Sequence, residues 1–192
     1  MPDLSLTVPP ARAELLAQLG SRLTELIPGA RLLAERLLGA DSRIDFVAVE
    51  PSGRVILVLV GEEGQDLELI GRGLAQRAWV EARLRDWLQL APSLGIRPEA
   101  RIKVWLLCPS IRPESIAAAS QVGSDSLAWA VYRCVRNGSR VETLLEIPSA
   151  ARSTPEAPAR APAEPAAGGT GFRTGLADTD LGITAAEHSE LD

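Results

Sequence analysis

Residues 43–66 read RIDFVAVEPSGRVILVLVGEEGQD. IDFVAVE and RVILVLV are runs of strand-forming residues, and PSG lies between them. Gly53 can take a positive φ, so the spacing predicts two strands joined by a tight turn. After Arg54 the second strand carries no polar side chain until it breaks at Gly61. A run of that kind marks the middle of a core. Beyond it the chain enters an acidic loop with Glu62, Glu63 and Asp66.

The elements around this hairpin set the fold class. Upstream, ARAELLAQLGSRLTELI places apolar residues at 15, 16, 19, 23, 26 and 27, close to helical spacing, and predicts a helix over 10–26. PGARLLAERLLG is ambiguous. Its leucines at 32, 33, 37 and 38 suit a helix, but Pro28-Gly29 ends the preceding one and leaves little room. Downstream, LELIGRGLAQRAWVEARLRDWLQL has a broad apolar stripe and predicts a long amphipathic helix. RIKVWLLCP follows as a short central strand, and RPESIAAASQV as a short helix with Pro113 in its first turn. SLAWAVYRCVR and RVETLLEI read as strands, and Asn137-Gly138 between them is a hairpin signal. Strands and helices are interleaved, so the prediction is α/β or α+β, with one central sheet flanked by helices.

Composition narrows the functions available. The chain has 192 residues, 46% hydrophobic and 23% charged, enough for one domain with a real core. No run of eighteen apolar residues is present, and MPDLSLTVPPARAELL lacks the pattern of a secretion signal, so a cytoplasmic protein without a membrane span is expected. Cys108 and Cys134 lie in apolar runs and read as buried free thiols. With no CxxC and one histidine, His188, a zinc site is not expected. Residues 1–150 hold 18 acids and 17 bases, while 151–192 hold 7 acids and 3 bases. The near-neutral main part does not announce nucleic-acid binding. Lys103 is the only lysine. The expected organisation is a domain at 1–147, an Ala/Pro-rich linker at 148–169 and an acidic tail at 170–192. In the tail, Thr184 and Glu187 have capping-box spacing, so a short motif that folds on a protein partner is one reading and a frayed end the other.

The order of elements, with IPGARLLAERLLGADSRIDFVAVEPSGRVILVLVG and, more loosely, GRGLAQRAWVEARL and KVWLLCPSI, resembles the PD-(D/E)XK nuclease superfamily, which has a restriction-endonuclease-like fold. The closest likeness is to the C-terminal domain of NucS-type DNA endonucleases, over about residues 10–136. In that family PGxRLL opens a strand, so the resemblance reassigns residues 30–38 from helix to strand. It also implies a site. Such nucleases hold Mg²⁺ with hard carboxylate oxygens and use a lysine near the attacking water. They take an Asp from one strand, Glu-x-Lys from the next, and often a Glu from the first helix. Asp45 matches the aspartate and Glu14 is the candidate helix glutamate. The Glu and Lys positions fall on Leu59 and Gly61, which offer neither an oxygen nor an amine. The family's Gln-x-x-x-Tyr on the long helix falls on Arg72 and Gln76, either of which could touch a phosphate.

A relocated site would draw on Asp45, Glu50 and Glu62 for Mg²⁺, with Glu63 and Asp66 nearby and Lys103 as the missing cation. The alternative is that these acids are solvated turn residues. Arg72, Arg77, Arg83 and Arg85 alternate with acids on the long helix, as on a solvated face, and the tryptophans at 79, 87, 105 and 129 read as core. The expectation is a nuclease-like domain that has lost its chemistry, needs no cofactor, and binds a protein partner or DNA. The alternatives are an active Mg²⁺-dependent DNase and a scaffold with no nucleic-acid role.

Overall fold

The computed structural model describes residues 4–147. They form a seven-stranded mixed sheet flanked by helices. The strands are β1 (Leu4–Leu6), β2 (Arg31–Leu38), β3 (Arg43–Val49), β4 (Val55–Val60), β5 (Lys103–Cys108), β6 (Leu127–Asn137) and β7 (Arg140–Glu146). The helices are α1 (Arg12–Ser21), α2 (Leu23–Leu26), α3 (Asp66–Leu90) and α4 (Pro113–Val122). The sheet order is β1-β6-β5-β4-β3-β2, and β7 also pairs with β6.

β2, β3 and β4 form an antiparallel meander, and β4, β5 and β6 are parallel. The two parallel pairs require crossovers, and α3 and α4 supply them. β4 and β5 sit in the middle of the sheet and are almost wholly buried, which explains the unbroken apolar sequence from Val55 to Val60. Two cores result. α3 and α4 cover one face, where Ile44, Leu57, Leu59, Leu69 and Leu106 meet. α1 and α2 cover the other through Leu15, Leu16, Leu19 and Leu23, against Phe46 and Val58.

The opening hairpin forms as expected. Gly53 sits at φ +86°, and a Cβ there would lie 2.6 Å from the Arg97 side chain, so a larger residue is excluded twice over. Residues 31–38 are a strand, so pairing with β3 overrides the helical spacing of the leucines. The helix expected over 10–26 is divided. Arg22, at φ −104° and ψ 4°, separates α1 from the short α2. In the last hairpin the pairing of Asn137 with Arg140 makes Gly138-Ser139 the two-residue loop, with Gly138 at φ +61°. β1 has no counterpart among the expected elements. It is only three residues long and is held by pairing with Val135–Asn137. The linker at 148–169 and the tail at 170–192 lie outside the described residues.

Both cysteines are buried and free. Trp105 and Trp129 are buried, whereas Trp79 and Trp87 are half-buried and meet edge to face at 6.4 Å. The Arg83 guanidinium lies over the Trp79 ring at 4.2 Å, so that indole is covered by its own helix rather than presented to a base. No described helix is long and apolar enough to cross a membrane.

Candidate functional site

Asp45 lies near the start of β3, at the end of the sheet where β4 and β5 finish. The strand is irregular at this point. Ile44 packs in one core and Phe46, two residues on, in the other, so the usual alternation slips across Asp45. On one side the β3–β4 ladder begins only at Phe46 and Val58. On the other the β2–β3 register passes over the Arg36–Asp45 position, and Arg36 has φ +51°. The carboxylate of Asp45 completes the ladder itself. The Val60 N–H donates to its Oδ2 at 2.7 Å.

The other carboxylate oxygen is taken by an arginine. Arg12, the first residue of α1, donates from Nη2 to Asp45 Oδ1 at 2.9 Å and to the Val60 carbonyl at 3.1 Å. The pair is asymmetric in exposure, with the Arg12 side chain 44% exposed and that of Asp45 4%. Arg12 Nη1 also lies 4.0 Å from Glu62 Oε1. A guanidinium therefore sits between the two carboxylates that would have to share a cation. Of the proposed ligand set, Asp45 and Glu62 are brought together, but across Arg12. Glu50 is not, because five residues of strand, about 16 Å at 3.3 Å each, separate it from Asp45. Among the described residues no three His, Cys, Asp or Glu side chains are grouped so as to hold one metal ion.

The two positions where the resemblance expects Glu and Lys are packed into the core. Leu59 is fully buried under α3. At Gly61 the N–H donates to the Leu107 carbonyl at 2.8 Å, and the carbonyl accepts from the Tyr132 hydroxyl at 3.0 Å. A Cβ at Gly61 would lie 3.0 Å from Leu69 Cδ2 and 3.2 Å from Cys108 Sγ, so a side chain there would displace its neighbours. Burial, with the nearby Asp66 carboxylate, pushes the Cys108 thiol up to about 12, so it is not a nucleophile.

Glu14 is exposed on α1, and its carboxylate accepts weakly from Gln18 at 3.4 Å, so it does not join Asp45. Gln76 does not face a ligand either. It is fully buried, accepts from the Ala40 N–H at 3.1 Å, and donates to the Ser42 carbonyl at 3.1 Å and hydroxyl at 2.7 Å. It thus clasps the turn between β2 and β3. Arg72 is half-buried and its Nε has no hydrogen-bond partner among the described residues. Lys103 begins β5 opposite Ile56, four residues from the Val60–Leu107 level, or about 13 Å along the strands. It is at the far end of the sheet and cannot stand in for a lysine at Gly61.

Asp66, which the sequence leaves as either a neighbour of a relocated site or a solvated turn residue, is a buried anchor. It receives the Arg112 N–H at 2.8 Å, Nε at 2.9 Å and Nη2 at 2.8 Å. Burial alone would raise its pKa, but these Arg112 hydrogen bonds outweigh it and hold the carboxyl far below the usual range. Because the native value is depressed, the stability it confers is complete above the unfolded value of about 3.9 and is lost as pH falls towards the native one. Denaturation followed between about pH 5 and pH 2 should therefore show a smaller loss of stability in Asp66→Asn than in the parent.

Arg12, Arg112 and Tyr132 were not singled out from the sequence. Arg12 and Asp45 are 33 residues apart, and Arg112 and Asp66 are 46 apart. Neither pair has a local spacing that would reveal it.

No known family's profile matches the chain, and no curated protein matches it. Among solved structures it is similar to a repair endonuclease from Pyrococcus abyssi, with a TM-score of 0.45 and 12% identity, over 65% of this chain and 48% of that one. It is also similar to the EndoMS–dsDNA2 complex, at 0.38 and 14%, over 71% and 48%. A third likeness is to Pyrococcus furiosus SfsA in complex with Ca²⁺, at 0.35 and 12%, over 70% and 63%. The chain spans about half the length of the two endonuclease chains. At these values the likeness bears on neither the site nor the activity.

Proposed function

We propose that the described domain is a nuclease-like scaffold that has lost its metal site and works as a non-catalytic binding or regulatory module. The observation that carries this reading is the Arg12 guanidinium on Asp45. A guanidinium offers fixed donors and a permanent positive charge, so it satisfies a buried carboxylate permanently, whereas a Mg²⁺ site must keep its carboxylates open. Leu59 and Gly61, built into the core, support the same reading.

The partner in this reading is a protein. Of the four α3 arginines, Arg77 pairs with Glu81 at 2.9 Å and Arg83 is stacked on Trp79, which leaves Arg72 and Arg85 without an engaged partner among the described residues, too few for a phosphate-tracking surface. A titration with Mn²⁺ followed by electron paramagnetic resonance should show no site of micromolar affinity. A micromolar site that disappears in Asp45→Ala would overturn the proposal and restore the metal-dependent DNase reading.

A further inference from the structure

The opposite end of the sheet, where β4 and β5 begin, carries a separate cavity of about 270 Å³. Five of its eight lining residues are apolar, namely Leu26 and Ile27 at the end of α2, Pro28, Pro51 of the β3–β4 turn, and Trp105, and Glu50, Ser52 and Lys103 complete it. Gly29 stands at φ +73°, and a Cβ on it would lie 2.9 Å from Pro51 Cγ, so the two turns that form the rim are in contact.

One cation opens into this apolar cup. Lys103 lines it, half-buried, with its ammonium 5.4 Å from the centre of the Trp105 ring. Among the described residues it belongs to none of the ion pairs. Burial and the neighbouring Arg54 lower its pKa, while Glu50 and Asp125 act in the opposite sense. Arg54 bonds the carbonyls of Arg101, at 2.7 Å, and Asp125, so its own charge stays unneutralised. Glu50, the one acid in the lining, accepts from the Ser52 hydroxyl at 3.2 Å. Lys103 is thus the one cation of the lining and Glu50 its one acid, with Arg54 and Asp125 just outside it and Trp105 as the aromatic wall.

We propose that this pocket binds a compact carboxylate with an apolar body, its carboxylate on Lys103 and its body against Trp105, Leu26 and the Pro28–Pro51 rim. A volume just below the 300 Å³ or so at which ordinary ligand pockets begin limits the ligand to a small one. A charge-assisted bond to an ammonium that is in no ion pair among the described residues supplies the affinity, and the apolar residues of the lining supply the fit. The proposal is independent of the Asp45 end of the sheet.

The test uses the full chain, nitrogen-15 labelled, titrated with phenylacetate and with the isosteric neutral phenylacetamide. Phenylacetate should give saturable shifts at Lys103, Ser52 and the Trp105 indole N–H. Phenylacetamide should bind at least about tenfold more weakly, as loss of a charge-assisted bond implies. Lys103→Met should weaken phenylacetate by a similar factor while keeping a dispersed spectrum. Absence of saturable shifts with phenylacetate, or equal binding of the acid and the amide by the parent protein, would overturn the proposal whatever the variant does.

Discussion

Replacing Asp45 by alanine lowers the stability of the domain by about 2–3 kcal/mol, read from urea denaturation with an unchanged m-value. The cost has two parts. The Val60 N–H is left buried without an acceptor, and Arg12 loses the carboxylate that fixes it. Breaking a fully buried ion pair costs roughly 3–5 kcal/mol, and the cost falls at or below the bottom of that range here because Arg12 is half-exposed and can turn to water. A live metal site behaves in the opposite way. Carboxylates crowded to hold a cation repel one another, and removing one commonly stabilises the protein at the expense of function. The sign of the change therefore separates a structural aspartate from a catalytic one. A cycle with Arg12→Ala should return a coupling of about 1–2 kcal/mol between the two residues.

Gln76→Ala is expected to cost about 3 kcal/mol, a drop in Tm of roughly 10 °C. The amide makes three hydrogen bonds to Ala40 and Ser42 from a fully buried position. Its loss strands those groups and leaves a cavity between α3 and the β2–β3 turn. A leucine would refill part of the volume but none of the bonding, so Gln76→Leu should also be destabilised. Gly39 shows how closely the turn is fitted, since a Cβ there would come within 1.7 Å of Gln76 Oε1. Thermal unfolding followed by circular dichroism measures both variants. If Gln76 faced a ligand instead, neither change would move the Tm.

Most of the architecture was legible because it rests on local patterns. The turn at Gly53, the apolar run of β4, the stripe of α3 and the last hairpin, whose loop lies one residue beyond the Asn137-Gly138 signal, are each written in one continuous stretch of chain. β2 was not legible in this way, since its leucine spacing is helical and only pairing with β3 makes it a strand. β1 was hidden for the same reason, because three residues carry no period. The break in the first helix at Arg22 follows Gly20-Ser21, a weak pair for a helix whose effect the apolar spacing across it conceals.

Asp45, Leu59 and Gly61 lie in one hairpin at fixed spacing, so the sequence alone places them at one end of the sheet. What happens to Asp45 was not legible, because its partner comes from α1 and meets it only once both cores have formed. Gln76, read as a residue able to touch a phosphate, and Asp66, read as an acid of the loop after β4, are buried by partners distant in sequence, Ala40 and Ser42 for one and Arg112 for the other. Lys103 could be counted as the chain's only lysine, but its distance from Asp45 depends on the parallel register of β4 and β5.

The central claim is that this domain does not cleave DNA, and the most direct measurement is cleavage itself. The purified full chain is incubated with single-stranded, double-stranded and mismatched DNA in Mg²⁺ or Mn²⁺. The account predicts no product above that of the Asp45→Ala variant. Metal-dependent cleavage by the parent chain that Asp45→Ala abolishes would contradict it.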